Sequence, residues 1–259
     1  MKYQVQDFCR CMEALAPLEL ALEWDNVGLQ IGHPDQEVSR VLVTLTVTMD
    51  VVERAIEEDV DLVIAHHPVI FKPLRQLRTD EPGGALLAAL LQHDLAVYVA
   101  HTNLDQAEEG LNHWLARDLK LQDQRVLIPF QDGPAGLGRV GNIEPMTLGA
   151  LAKHVERLWG YPVRIVGQEM HEIARVAVVG GSGGDFVHQA KKAGADVLIT
   201  GDVSYHDAMD ARSLDLAVLD AGHFGTERIV TAELQRYLAQ HFGADVEILE
   251  DNSGSPFVF

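Results

Sequence analysis

An α/β fold of two related lobes, built on mixed and largely parallel sheets, follows from three observations on this 259-residue chain. Short branched apolar runs of strand length alternate with segments of helical periodicity, the order that parallel β-α-β units require. The same order of elements occurs twice along the chain. Finally, the motif DLAV opens both residues 94–101 and residues 215–223, and each of these segments closes on a histidine, His101 and His223.

The elements follow in order. Phe8, Met12 and Leu15 fall at helical spacing, so residues 5–15 are expected to form a helix that Pro17 closes. WDNVGLQIG (24–32) reads as a polar turn running into a short strand. RVLVTLTVT (40–48) is a β-branched strand, and Val52, Ala55 and Ile56 mark a helix over residues 49–58. DLVIA (61–65) is a buried strand that ends abruptly in His66-His67-Pro68. GALLAALLQH (84–93) is an apolar helix, LAVYVA (95–100) a strand, and Leu111, Trp114 and Leu115 line a further helix before a short strand near Val126.

The second occurrence begins with a helix over residues 146–158, for which Thr147 is the expected cap. RVAVVG (175–180) then matches RVLVTL, a helix follows over residues 185–193, and DVLIT (196–200) matches DLVIA. A diverged duplication is the simplest source of this order. It places one lobe over residues 1–126 and the other over 127–259, divided near the glycine- and proline-containing QDGPAGLG.

Composition narrows the function classes. Twenty basic residues against 39 acidic ones give a net charge of −19, which repels polyphosphate backbones and disfavours nucleic acid as a partner. The N-terminal stretch MKYQVQDFCRCMEAL lacks the apolar core of a signal peptide, and no apolar run reaches a membrane span. A soluble cytoplasmic protein with no membrane partner is the expectation. Cys9 and Cys11 are spaced awkwardly for a disulfide and supply at most half of a four-thiolate zinc site, so they are read as reduced, structural thiols.

In open α/β sheets, ligands bind beyond the carboxyl ends of the strands. His66, His67, His101, Asp105, Asp202, His206, His223 and Glu227 all follow expected strands. Imidazoles and carboxylates without thiolates suit zinc, manganese, iron or nickel, and bridging carboxylates let two ions share few ligands. The ordinary reading of the His66-His67 pair is one hydrogen-bonded core residue beside a solvated one. GGSGG (180–184) precedes a helix, but Phe186 breaks the dinucleotide fingerprint and no P-loop lysine follows, so a tight turn is the better reading. Lys72, Arg75 and Arg78 are read as solvated charge, with attraction of an anionic substrate as the alternative.

Taken together, WDNVGLQIG, AHHPVIFKPL, HTNLD, GDVSYHDAMDA and AGHFGTE resemble the Nif-three-like dinuclear metal-centre family over essentially the full chain. Many members of that family are labelled GTP cyclohydrolase 1 type 2 homologues. The resemblance implies that His66, His67, Asp105, His223 and Glu227 bind two divalent metal ions at the seam of the lobes, the carboxylates bridging and the histidines capping. It also implies a ring-shaped homohexamer and a nucleotide substrate. The implied activity is that of a dinuclear hydrolase, with GTP cyclohydrolysis by attack of metal-bound hydroxide on the purine imidazole ring as the named candidate. His101 and His206 are then the candidates for proton transfer, with a supporting hydrogen bond or a structural role as the alternatives for His101 and a helix-end role for His206, and Asp202 has a standing similar to that of His206. Two alternatives stand beside this: a phosphoester hydrolase, and a metal-binding regulatory or adaptor protein without catalysis. Thr46 departs from the family pattern, in which relatives commonly carry Asp in this strand; the substitution leaves the implied ligands intact and bears on local hydrogen bonding or substrate orientation.

Overall fold

The computed structural model describes residues 2–131 and 133–258. These fall into two compact units, one of residues up to 104 together with 230–254, the other of residues 105–229 together with 255 onward. Each has its own large sheet and its own apolar core, and the first also carries a two-stranded antiparallel pair of Tyr3–Gln4 with Glu37–Val38.

In the first unit, strands Glu247–Glu250, Arg40–Thr44, Leu62–Ala65, Ala96–Val99 and Gly28–Ile31 lie side by side in that order. All neighbours are parallel except the last pair. The central strand LVIA is buried along its whole length, which its unbroken apolar run requires of a strand covered on both faces. Helices Met49–Glu57 and Pro82–Gln92 supply the crossovers, the first capped by Thr48, whose hydroxyl accepts from Val51 N, and the second opened by its proline. The helix Val5–Leu15 ends just before Pro17, as its sequence predicts, and its Phe8 stacks on Phe242 of the helix Ile229–Phe242 at 4.0 Å between ring centroids.

The second unit carries six strands in the order Gln122–Pro129, Gly136–Thr147, Glu172–Ser182, Val197–Gly201, Ala217–Asp220 and Arg164–Val166. Its centre is parallel and its flanks are antiparallel. The expected helix after residue 146 starts at Leu148, and Thr147 caps it by accepting a hydrogen bond from Ala150 N.

Both units repeat one supersecondary pattern down to single hydrogen bonds. Asp61 Oδ2 accepts from Arg40 N at 3.0 Å, and Asp196 Oδ2 accepts from Arg175 N at 2.8 Å, so the aspartate that opens each second strand ties down the start of the first. Asp94 and Asp215, opening the two DLAV segments, both take left-handed backbone with φ of 51° and 52°. The third strand of each triplet then leads into a five-residue helix, Thr102–Gln106 in one unit and His223–Glu227 in the other.

The units divide the chain differently from a cut at 126/127. Glu247–Glu250 pairs in parallel with Arg40–Thr44 and so returns the C-terminal segment to the first sheet. Among the described residues, no helix is long and apolar enough to cross a membrane.

Candidate metal centre

In the first unit the carboxyl ends of two neighbouring strands bring three imidazoles together. Backbone pairing continues past Ala65, with His66 N donating to Thr44 O at 3.2 Å and His67 N to Leu45 O at 2.9 Å, so both histidines leave the sheet under main-chain control. His101 follows the adjacent strand. One nitrogen from each of His66, His67 and His101 lies within 4.8 Å of the others.

What turns these rings is a set of contacts to Nδ1. His66, fully buried, directs Nδ1 to the carbonyl of Ala100 at 2.8 Å. A carbonyl only accepts, so the proton sits on Nδ1 and Nε2 keeps its lone pair. His101 Nδ1 lies 3.0 Å from both carboxylate oxygens of Asp25, whose side chain is wholly buried. Thr102 adds hydrogen bonds to Asp25 from its backbone N–H and its hydroxyl. Burial pushes the Asp25 carboxyl up, but the hydrogen bonds from His101 and Thr102 outweigh it and hold the group at about 2. His67 Nδ1 is 2.7 Å from the hydroxyl of Thr46.

In the second unit one imidazole lies between two carboxylates. His223 Nε2 is 2.9 Å from Glu227 Oε2, one helical turn away, and His223 Nδ1 is 2.7 Å from Asp202 Oδ2. The hydrogen bond to Glu227 raises the His223 pKa most, burial opposes it, and the charges of Glu227 and Asp202 add to the rise, giving about 9. These carboxylates hold positive charge at the imidazole, and Glu227 does so while only 3% exposed.

Glycine makes this possible. Gly181 has φ +65°, and a Cβ there would come within 2.2 Å of Glu227 Oε1. Its N–H donates to Thr226 Oγ1 at 2.9 Å, and Gly180 N–H donates to Asn112 Oδ1 at 3.0 Å. The expected turn at GGSGG is thus the end of a strand, and two of its amides are committed inside the protein rather than offered to phosphate.

Asn112, fully buried, also donates to the backbone carbonyl of Asp105, fixing the half-buried helix end that carries it. The sequence reading passed over Asn112, Asp25 and Gly181. Asp25 and Gly181 lie within WDNVGLQIG and GGSGG, and the signal at Asn112 is an amide on the otherwise apolar face of Leu111–Asp118.

His206 lies at the second position of the helix Tyr205–Ser213, exposed and edge-on to Tyr205 at 5.6 Å between ring centroids. Among the described residues, the groups close enough to share an ion do not include it. Lys72, Arg75 and Arg78 are exposed, and Arg78 pairs with Asp80 at 2.5 Å.

A family model described as Duf34/NIF3 (NGG1p interacting factor 3) matches residues 3–253. The chain is 40% identical over 255 residues to a protein of Streptococcus pneumoniae named GTP cyclohydrolase 1 type 2 homolog, covering 95% of each. A protein of Clostridium acetobutylicum with the same name is 38% identical over 231 residues, 88% of this chain and 86% of that one. Among solved structures, a Bacillus cereus protein related to NIF3 superposes with a TM-score of 0.93 at 28% identity, covering 100% of this chain and 99% of that one.

Proposed function

Since this chain belongs to the Duf34/NIF3 family, we propose that it is a hydrolase dependent on two divalent metal ions, with His66, His67, Asp105, His223 and Glu227 as their ligands. The observation that carries this reading is the Nδ1 anchoring of the imidazoles. A carbonyl holds His66 and carboxylates hold His101 and His223, the partners that metal-binding histidines need to fix tautomer and ring direction. The donor set is nitrogen and oxygen, suited to zinc, iron, manganese or nickel. When bound, the ions would supply Lewis acidity and make water acidic enough to ionise near neutral pH.

The reaction named by the relatives, GTP cyclohydrolysis, needs water addition to the purine imidazole carbon, ring opening and departure of formate. Proton transfer falls to His101: Asp25 holds its Nδ1–H and stabilises the ring when Nε2 takes up a proton. Among the described residues, no carboxylate is seen to hold the exposed ring of His206 in this way.

Protein reconstituted with each of the four metals and supplied with GTP should release formate and an opened-ring triaminopyrimidine. His101→Ala should retain its metal and turn over about 100-fold more slowly, and His66→Ala should lose metal. Failure of every metal form to act on GTP, with His66→Ala indistinguishable from wild type, removes the proposal. The family description, an interacting factor, favours one other reading, in which the metal-loaded protein binds a partner and catalyses nothing. Retention of two metal equivalents with no turnover of nucleotides or phosphoesters would select it.

A further inference from the structure

Large apolar side chains left in water carry information when they cluster beside a site. Trp24 is 57% exposed and Phe71 45%, and their rings meet edge to face at 5.7 Å between centroids. Trp24 also stands edge-on to the imidazole of His101, at 6.1 Å. The other two tryptophans, Trp114 and Trp159, are buried. An indole and a phenyl ring thus border the histidine cluster with ring surface open to solvent.

The pair is held in place. Ile70, which precedes Phe71, has both its main-chain groups engaged by the segment that carries Trp24: Asn26 Nδ2 donates to Ile70 O at 2.6 Å, and Ile70 N donates to Gln30 Oε1 at 2.8 Å. Gln30 Nε2 closes the frame on Asn26 O at 2.7 Å. Asp25, the residue after Trp24, accepts from His101 and from the N–H and hydroxyl of Thr102. The chain segments bearing Trp24 and Phe71 are therefore tied to each other and to His101. Fixing two rings while leaving them in water gains nothing from burial, but it lowers the ordering cost of a ligand that covers them.

The charge of this loop is the reverse of the chain's. From Phe71 to Thr79 the only charged residues are Lys72, Arg75 and Arg78, in a protein of net charge −19. Arg78 is paired with Asp80, whereas Lys72 and Arg75 are exposed and have no ion-pair partner among the described residues. Aromatic surface next to unpaired cations suits a planar heteroaromatic ring that carries negative groups. A nucleic-acid strand is opposed by the overall charge, while a single nucleotide meets the local one.

We infer that Trp24 and Phe71 are the base-binding face of the metal site, on which the planar ring of a nucleoside polyphosphate stacks beside His101 while Lys72 and Arg75 attract its phosphates. This rests on the nucleotide reading above, and it assigns recognition to residues outside the implied ligand set.

Trp24 is the exposed tryptophan of the three, so its fluorescence reports the stack. Titration of the metal-loaded full chain with GTP should quench the emission, and Trp24→Phe should abolish that quenching. By calorimetry Trp24→Ala should weaken GTP binding about 10-fold, the loss expected for one stacked ring, and Trp24→Phe should weaken it much less. Replacing Lys72 and Arg75 together by alanine should bring the affinity for GTP down toward that for guanosine. All these positions are exposed, so the substitutions open no core cavity.

Equal GTP affinity in wild type and Trp24→Ala, or no binding of GTP to the metal-loaded protein, overturns the inference. So does a fall in the mass of the assembly in Trp24→Ala, which would mean that a second copy covers the rings. Formate release from GTP with an unchanged KM in Trp24→Ala would remove the aromatic face and keep the hydrolase. GTP bound on Trp24 without formate release would keep the aromatic face and remove the hydrolase.

Discussion

Asp25 shows how much one buried carboxylate does here. Its folded pKa lies near 2 against an ordinary 3.8, so it contributes stability that is fully present above about pH 4 and is lost as pH falls through 2. The shift corresponds to about 2 kcal/mol. Urea unfolding at pH 5 and at pH 2.5 should show that loss in wild type, and Asp25→Asn should flatten this part of the profile. Gly181→Ala should lower both metal retention and stability: the new Cβ, 2.2 Å from Glu227 Oε1, displaces the carboxylate, and φ of +65° strains any side chain, so metal content after dialysis should drop and urea unfolding should shift to lower denaturant. Cys9 and Cys11 are both unbonded, half-buried thiols. Burial, then the charge of Glu13, pushes Cys9 up to about 11, so it should react with a disulfide reagent far more slowly than a free thiol at pH 8. At this scale the histidines were legible in the sequence, because an apolar strand run ending in His66-His67 or leading to His223 and Glu227 is a local pattern. Asp25 and Thr46 were not assigned their partners, since these lie 76 and 21 positions away.

Elements were readable where periodicity was strong. The strands Leu62–Ala65 and Ala96–Val99, the crossover helices and the Thr147 cap lie where the pattern puts them, whereas the strand expected over residues 40–48 stops at Thr44. Thr147→Ala should lower stability by about 1 kcal/mol in chemical denaturation, the usual worth of a hydroxyl cap. Among the described residues five strands left no trace, and three of them belong to the two large sheets. Gly136–Thr147 contains three glycines and Pro145, a composition that reads as loop; the proline sits where the pairing register with Glu172–Ser182 shifts, at a place that needs no N–H. Arg164–Val166 has three residues, too few for any alternation, and Glu247–Glu250 is a four-residue strand flanked by acidic residues. Their state is set by the neighbouring strand that supplies their hydrogen bonds, and a one-dimensional pattern does not contain that neighbour.

For the whole molecule, the metal reading makes thermal stability depend on ions. A cation present at 100 times its dissociation constant stabilises the native state by about 2.7 kcal/mol per site, so exhaustive chelation should lower the melting temperature of wild type and leave that of His66→Ala unchanged. The homohexamer implied by the family resemblance is checked by light scattering, where a mass six times that of the chain is expected and a monomer would refute it. The sequence alone determined the α/β class, the repeated order of elements, the family and the places along the chain where imidazoles and carboxylates leave strands, because each is encoded in residues close together. Only the tertiary structure decided that the last strand closes the first sheet, that Asp25 grips His101, that Gly181 makes room for Glu227 and that a hydroxyl rather than a carboxylate stands behind His67. Each of those depends on which distant strand or turn becomes a neighbour, and that is settled by packing the sheet, after local periodicity has said all it can.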